Sequence, residues 1–295
     1  MLGSYLLTFR EVLEAALVTA IILAYLTRSG RGVFKRHVWY GVYSAAAASL
    51  AFGAVIWLVY GTVSKETQVL FEGVAALVAV GVLSSMIYWM ATRGKMLREE
   101  VEHKLESITV KTGAALGLAV FSFIVVVREG IETVLFLTPF LVQDAPATLL
   151  GFGAGLVSAL ILSYAIFKVG MSINLRRFFC FTSILLILLA GGLTGYGVHE
   201  LLDYGKLVKV DMGWLGSAAY SLNIPAESIW HHKGIVGSIL NVMLGYTVKA
   251  EWARVIVHLL YLAIALPLTL KAYHGPEQPK GKVMESQPYP AKPAS

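Results

Sequence analysis

The sequence predicts an all-α integral membrane protein: seven transmembrane helices, two inverted three-helix repeats plus a seventh helix, N-terminus outside and C-terminus cytoplasmic. Three observations predict it. Of the residues, 57% are hydrophobic and 14% charged, where an ordinary soluble domain carries about 25% charged; the mean hydropathy is +0.70. Apolar runs exceed the ~20 residues a helix needs to cross a bilayer, and the short alternating strands of a membrane barrel are missing. A charged pentapeptide also occurs twice, in spans of opposite direction.

The spans fall at roughly 2–27, 38–62, 67–92, 109–142, 147–170, 178–200 and 250–272. Positive charge gathers in alternate linkers. Arg28, Arg31, Lys35 and Arg36 follow the first span, Arg93, Lys95, Arg98, Lys104 and Lys111 the third, and Lys168, Arg176 and Arg177 the fifth. Lys271, Lys280, Lys282 and Lys292 follow the last. The remaining short linkers hold only Lys65. Loops rich in Lys and Arg stay in the cytoplasm, which sets the orientation. No basic stretch precedes the first apolar run, so that helix is expected to insert and stay.

The expected organisation is a transmembrane domain over 1–272 and a disordered cytoplasmic tail over 273–295. Within the domain come repeat one (1–92), a cytoplasmic linker (93–108), repeat two (109–200), an outer segment (201–249) and the last helix (250–272). The outer segment contains GIVGSILNVMLG (234–245), apolar but too short to cross, expected to lie along the surface or to re-enter. The proline- and lysine-containing tail cannot bury a core. The lone Cys180 excludes a disulfide within the chain and a thiolate metal site. The net charge of +6 resides in the topogenic linkers and does not indicate nucleic acid.

REVLE (10–14) and REGIE (128–132) align Arg10 with Arg128, Glu11 with Glu129 and Glu14 with Glu132. Each motif lies 10–14 residues below the outer end of its span, roughly 15–20 Å deep in a ~30 Å hydrocarbon core. Inverted repeats with a midplane site between them are a transporter architecture. Residues at i and i+3 share a helix face, so the glutamates of each motif point together, and Arg pairs with Glu at i+4. A central intramembrane charge costs ~2.5–3.5 kcal/mol even on the lenient insertion scale. Structural Arg–Glu glue would account for one glutamate per motif and leave the other without purpose. Four carboxylates offer hard oxygen donors to a small, highly charged cation, with Arg10 and Arg128 balancing charge in its absence.

These paired motifs resemble the Arg-Glu-x-x-Glu signatures of the high-affinity iron permease family, the oxidase-dependent ferric iron and lead transporters. The resemblance extends to GVHELLDYG (197–205), DMGW (211–214) and GSILNVMLGY (237–246). The first motif has Val12 where family members usually have glycine; the second keeps Gly130. The resemblance implies import of iron, ferric by expectation, across the cytoplasmic (inner) membrane, with Glu11, Glu14, Glu129 and Glu132 binding the ion in transit. It also implies an extracytoplasmic iron-oxidising or iron-delivery partner. No resident cofactor and no enzymatic activity are expected, the iron ion being substrate.

His199, Glu200 and Asp203 close the sixth span and Glu72 lies near the outer end of the third. They are candidates for receiving the ion, although a polar helix end meeting water would look the same. Lead or another divalent cation is an alternative substrate. An intramembrane carboxylate-bridged metalloenzyme is a rival of another class, but it would normally add Glu-x-x-His motifs that neither copy has.

Overall fold

The computed structural model describes residues 1–94, 96–110, 113–167, 175–225, 228–231 and 234–274. The basic linker residues Lys95, Lys111 and Lys168 and the tail from 275 lie outside the described residues. The chain is an all-α membrane protein. Its helices are α1 (Leu2–Arg28), α2 (Lys35–Thr62), α3 (Lys65–Arg93), α4 (Leu97–Thr109), α5 (Ala114–Gln143), α6 (Ala145–Phe167), α7 (Leu175–Leu207), α8 (Ile235–Leu244) and α9 (Trp252–His274). A small hairpin pairs β1 (Ala218–Ser221) antiparallel with β2 (Lys249–Glu251).

Among the described residues six helices, α2, α3, α5, α6, α7 and α9, are long and apolar enough to cross a membrane. Their outward faces agree: Leu50, Val55, Trp57 and Leu58 on α2, Leu150, Leu160 and Ile161 on α6, and Leu259, Leu260 and Ile264 on α9 are exposed. Apolar surface on this scale suits lipid rather than water. α1 is equally long, 27 residues, but carries Arg10, Glu11 and Glu14 in its interior, all buried.

Small residues let the helices approach closely, as association in lipid requires. α2 buries Val38, Gly41, Ala45 and Ser49. α6 buries Thr148, Gly151, Gly155 and Ala159 at the same spacing. On α5, Gly41 abuts Ala119 and Ser122, Ser49 abuts Gly130, and Gly53 faces Val134, so α2 and α5 run parallel. On α1, Gly151 abuts Ser4 and Gly155 abuts Thr8, so α6 and α1 run parallel too. Gly73 packs on Leu201 and Gly197 on Leu77, which makes α3 and α7 antiparallel. One core cluster joins Leu7 near the start of α1 to Phe136 and Phe140 near the end of α5. A second joins Ile22 and Leu26 at the end of α1 to Leu118 at the start of α5. α1 and α5 therefore cross the bundle in opposite directions.

A Cβ on Gly41 would collide with the Ala119 carbonyl oxygen, a backbone atom with nowhere to go, whereas Gly61 faces open space. Gly41→Val is expected to destabilise the bundle by roughly 3 kcal/mol, the upper end for overpacking, and Gly61→Val to be near neutral. Thermal unfolding in nanodiscs checks both.

The helix boundaries differ from the spans read above. The fourth span starts at Ala114 rather than 109, because Gly113 takes a left-handed φ of 91° that breaks the helix. The charged stretch before it forms α4, whose Val101 and Leu105 are buried against α1 and α5. Glu102 on α4 accepts hydrogen bonds from Arg98 and Arg28, which hold its carboxyl below the usual range. Between α7 and α9, α8 packs on α7 at Gly192 and on α1 at Gly3 through Val242. It ends at Gly245, left-handed at φ 65°, whose amide donates to Asn241 O while the Tyr246 amide donates to Leu240 O; glycine adopts that conformation with the least strain.

Candidate metal centre

The interior site forms where α1 crosses α5. Along α1, Ser4, Leu7, Glu11 and Glu14 are buried; along α5, Ser122, Glu129 and Phe136 are. Each helix turns one stripe inward, and the acids fall on it by their i, i+3 and i+7 spacing. Carboxylate oxygens of Glu11, Glu14 and Glu129 lie within 4.8 Å of one another. Glu11 is fully buried, Glu14 8% exposed and Glu129 9%.

Arg10 is buried with them, 1% exposed. Its Nε lies 3.0 Å from Glu14 Oε1 and its Nη1 lies 3.5 Å from Glu11 Oε1. The same Nη1 donates to the thioether Sδ of Met86 on α3 at 2.9 Å. Glu132 is set apart from the three-carboxylate group: Arg128 Nε donates to its Oε1 at 2.9 Å. One oxygen on each of Glu11, Glu129 and Glu132 is buried without a hydrogen-bond partner. Unsatisfied buried acceptors are costly, and the carboxylates of Glu11, Glu14 and Glu129 converge. Hard oxygen donors that converge in this way suit a cation.

The two motifs are not equivalent. Arg128 is half-exposed, its guanidinium 5.7 Å from the Trp89 ring centroid. It borders a cavity of about 530 Å³ that also reaches Glu14 and Glu129. The far end of that cavity is lined by Glu100 and Lys104 of α4. The acidic centre thus communicates with the α4 end of the bundle past Glu14, Arg128 and Glu129, while Arg10 and Glu11 of the α1 motif are sealed.

At the opposite end, the candidates His199, Glu200, Asp203 and Glu72 separate into two groups. Glu72 accepts hydrogen bonds from Tyr60 Oη at 2.6 Å and Tyr196 Oη at 2.7 Å, with Glu200 in electrostatic reach. His199 and Asp203 instead face Glu251 of β2. α7 runs on to Leu207, past the end of the sixth span read above, so His199 and Asp203 share one helical face. Met86, Trp89, Tyr60, Tyr196 and Glu251 escaped sequence reasoning. Methionines and tyrosines in apolar runs look like packing residues, and Glu251 sits alone at the start of its span.

A helical bundle with a buried carboxylate centre between crossing helices defines a multi-pass membrane transporter. The chain belongs to the Iron permease FTR1 family, which it matches over residues 1–271. It is 44% identical to an uncharacterized protein of Archaeoglobus fulgidus over 276 residues, 92% of this chain and 96% of that one. It is 32% identical to the ferrous iron permease EfeU of Yersinia pestis over 271 residues, 90% and 91% of the two chains. It is 31% identical to the ferrous iron permease EfeU of Escherichia coli O6:H1 over 265 residues, 89% and 92%. No solved structure matches.

Proposed function

We propose that this protein imports iron ions across the cytoplasmic membrane. The observation that carries this reading is the convergence of Glu11, Glu14 and Glu129 between α1 and α5, in a member of an iron permease family. Glu132 completes a four-glutamate site when Arg128 releases it, and Arg10 and Arg128 balance charge when no ion is bound. α1 also spans the membrane and brings the six spans above to seven, its charges accommodated because they face protein. Helices α1–α3 and α5–α7 form the inverted repeats, the α2–α5 and α1–α6 pairs being counterparts. Their matched small-residue spacing supports this.

With the N-terminus outside and the C-terminus cytoplasmic, α4 lies on the cytoplasmic side. The cavity between the acids and α4 is then the release path, and α7 ends at the outer face. Rocking of one repeat against the other would seal this cavity and open the outer side. Proton movement on the glutamates would accompany ion binding, since ligands must be deprotonated. An extracytoplasmic protein that oxidises or delivers iron is the partner this reading expects.

The all-oxygen centre suits ferric iron by hardness. A ferrous reading is favoured by the names of the EfeU relatives. Uptake into proteoliposomes, with ferrous iron held reduced, ferric iron chelated, or lead supplied, separates these. Wild-type protein is expected to carry iron, with Glu14→Ala and Glu132→Ala each slowing it at least tenfold. Equal flux in all three proteins would falsify the site. Uptake of lead without iron would reassign the substrate.

A further inference from the structure

We infer that His199, Asp203 and Glu251 form a second metal site, a receiving site for a divalent first-row transition-metal ion at the end of the bundle remote from α4. The inference rests on the import reading above and adds to it a site with its own ligand chemistry. The three residues come from two elements far apart in sequence. His199 and Asp203 are one turn apart on α7; Glu251 ends β2. Their ligand atoms lie within 4.8 Å of one another. His199 Nδ1 is 3.1 Å from Glu251 Oε1 and 3.2 Å from Oε2. Its Nε2 is 3.7 Å from Asp203 Oδ2.

The surrounding structure builds the site. The register Ala218↔Glu251 in the hairpin fixes the Glu251 backbone, and the next amide, Trp252 N, donates to Ser217 O at 3.1 Å. Glu251 is 6% exposed, while His199 and Asp203 are partly open to solvent. One ligand is therefore held rigidly from below and two are reachable from outside. Lys206 Nζ binds Asp203 Oδ1 at 2.7 Å, which leaves Oδ2 turned toward His199. Arg254, 7% exposed with its Nε lacking a hydrogen-bond partner, lies within electrostatic reach of Glu251.

The chemistry follows from the donor set. One imidazole and two carboxylates make a mixed nitrogen and oxygen site. Imidazole favours divalent transition ions over calcium and magnesium, which take oxygen donors. Lys206 and Arg254 offset part of the carboxylate charge and moderate the affinity, as a site that must hand its ion onward requires. The interior centre has no imidazole, so the two sites differ in hardness. The ion received here is divalent, ferrous iron belonging to the class.

Cobalt(II) is the probe, because its visible d–d bands report ligation. The protein is taken in nanodiscs with Glu129→Gln to weaken the interior centre. Cobalt is expected to bind, and to bind on the order of tenfold or more weakly with His199→Ala or with the partly exposed Asp203→Asn. In a Cys180→Ser background, His199→Cys is expected to produce a thiolate-to-cobalt charge-transfer band, which an imidazole with a merely structural role would not transfer to cysteine. Circular dichroism and monodisperse elution establish that each variant is folded. Unchanged cobalt affinity in folded His199→Ala and Asp203→Asn, or no charge-transfer band in folded His199→Cys, would overturn the receiving site. The import reading is judged separately, by proteoliposome flux in proteins with Glu14 or Glu132 replaced.

Discussion

Arg10→Leu is expected to destabilise the protein by about 3–5 kcal/mol, the cost of breaking a buried pair from one side. Arg10 is 1% exposed, and both Glu11 and Glu14 depend on it for counter-charge. Met86 Sδ also loses its donor. Arg128→Leu is expected to cost far less, because Arg128 is 54% exposed at the wall of the α4 cavity. Adding Glu11→Gln and Glu14→Gln to Arg10→Leu is expected to recover most of the lost stability, since no buried charge then stands unpaired. Thermal unfolding of the four proteins in nanodiscs reads the effect. Equal losses for Arg10→Leu and Arg128→Leu would refute the asymmetry between the two motifs.

Glu129→Gln is expected to lower iron affinity and uptake on the order of 100-fold while leaving the fold intact. Even partners outside the ligand shell are worth 10–100-fold in metal sites, and Glu129 shares the converging group with Glu11 and Glu14. Glutamine keeps the shape and removes a charge that faces repulsion from its neighbours, so folding is spared. Glu132→Gln is expected to cost less in binding to the state described, because Arg128 already holds that carboxylate. It still slows transport, because the fourth ligand is needed as Arg128 swings away. Equilibrium binding and flux measured on the same preparations distinguish the two glutamates. Identical binding losses would mean that all four carboxylates hold the ion together from the start.

Much of this was legible in one dimension. Arg10 with Glu14 and Arg128 with Glu132 are i, i+4 pairs, and helical periodicity alone brings such residues together. The long apolar runs could be read as helices because lipid leaves the backbone no other partners. The repetition of REVLE as REGIE pointed to one site built from two halves, and the basic linkers gave each span an expected direction.

The sequence by itself determined that this is a helical membrane protein, that two charged motifs lie within its apolar helices, and which family it resembles. Tertiary structure alone decided which carboxylates meet. Glu129 converges with Glu11 and Glu14 while Arg128 holds Glu132, because that depends on how α5 is rotated against α1. The same packing sealed Arg10 and left Arg128 at a cavity, although the local sequences are nearly the same. Glu251 joined His199 because a two-strand hairpin closes a long outer segment onto the end of α7. Helical spacing specifies which residues share a face. Which faces come together depends on close contacts between distant small residues.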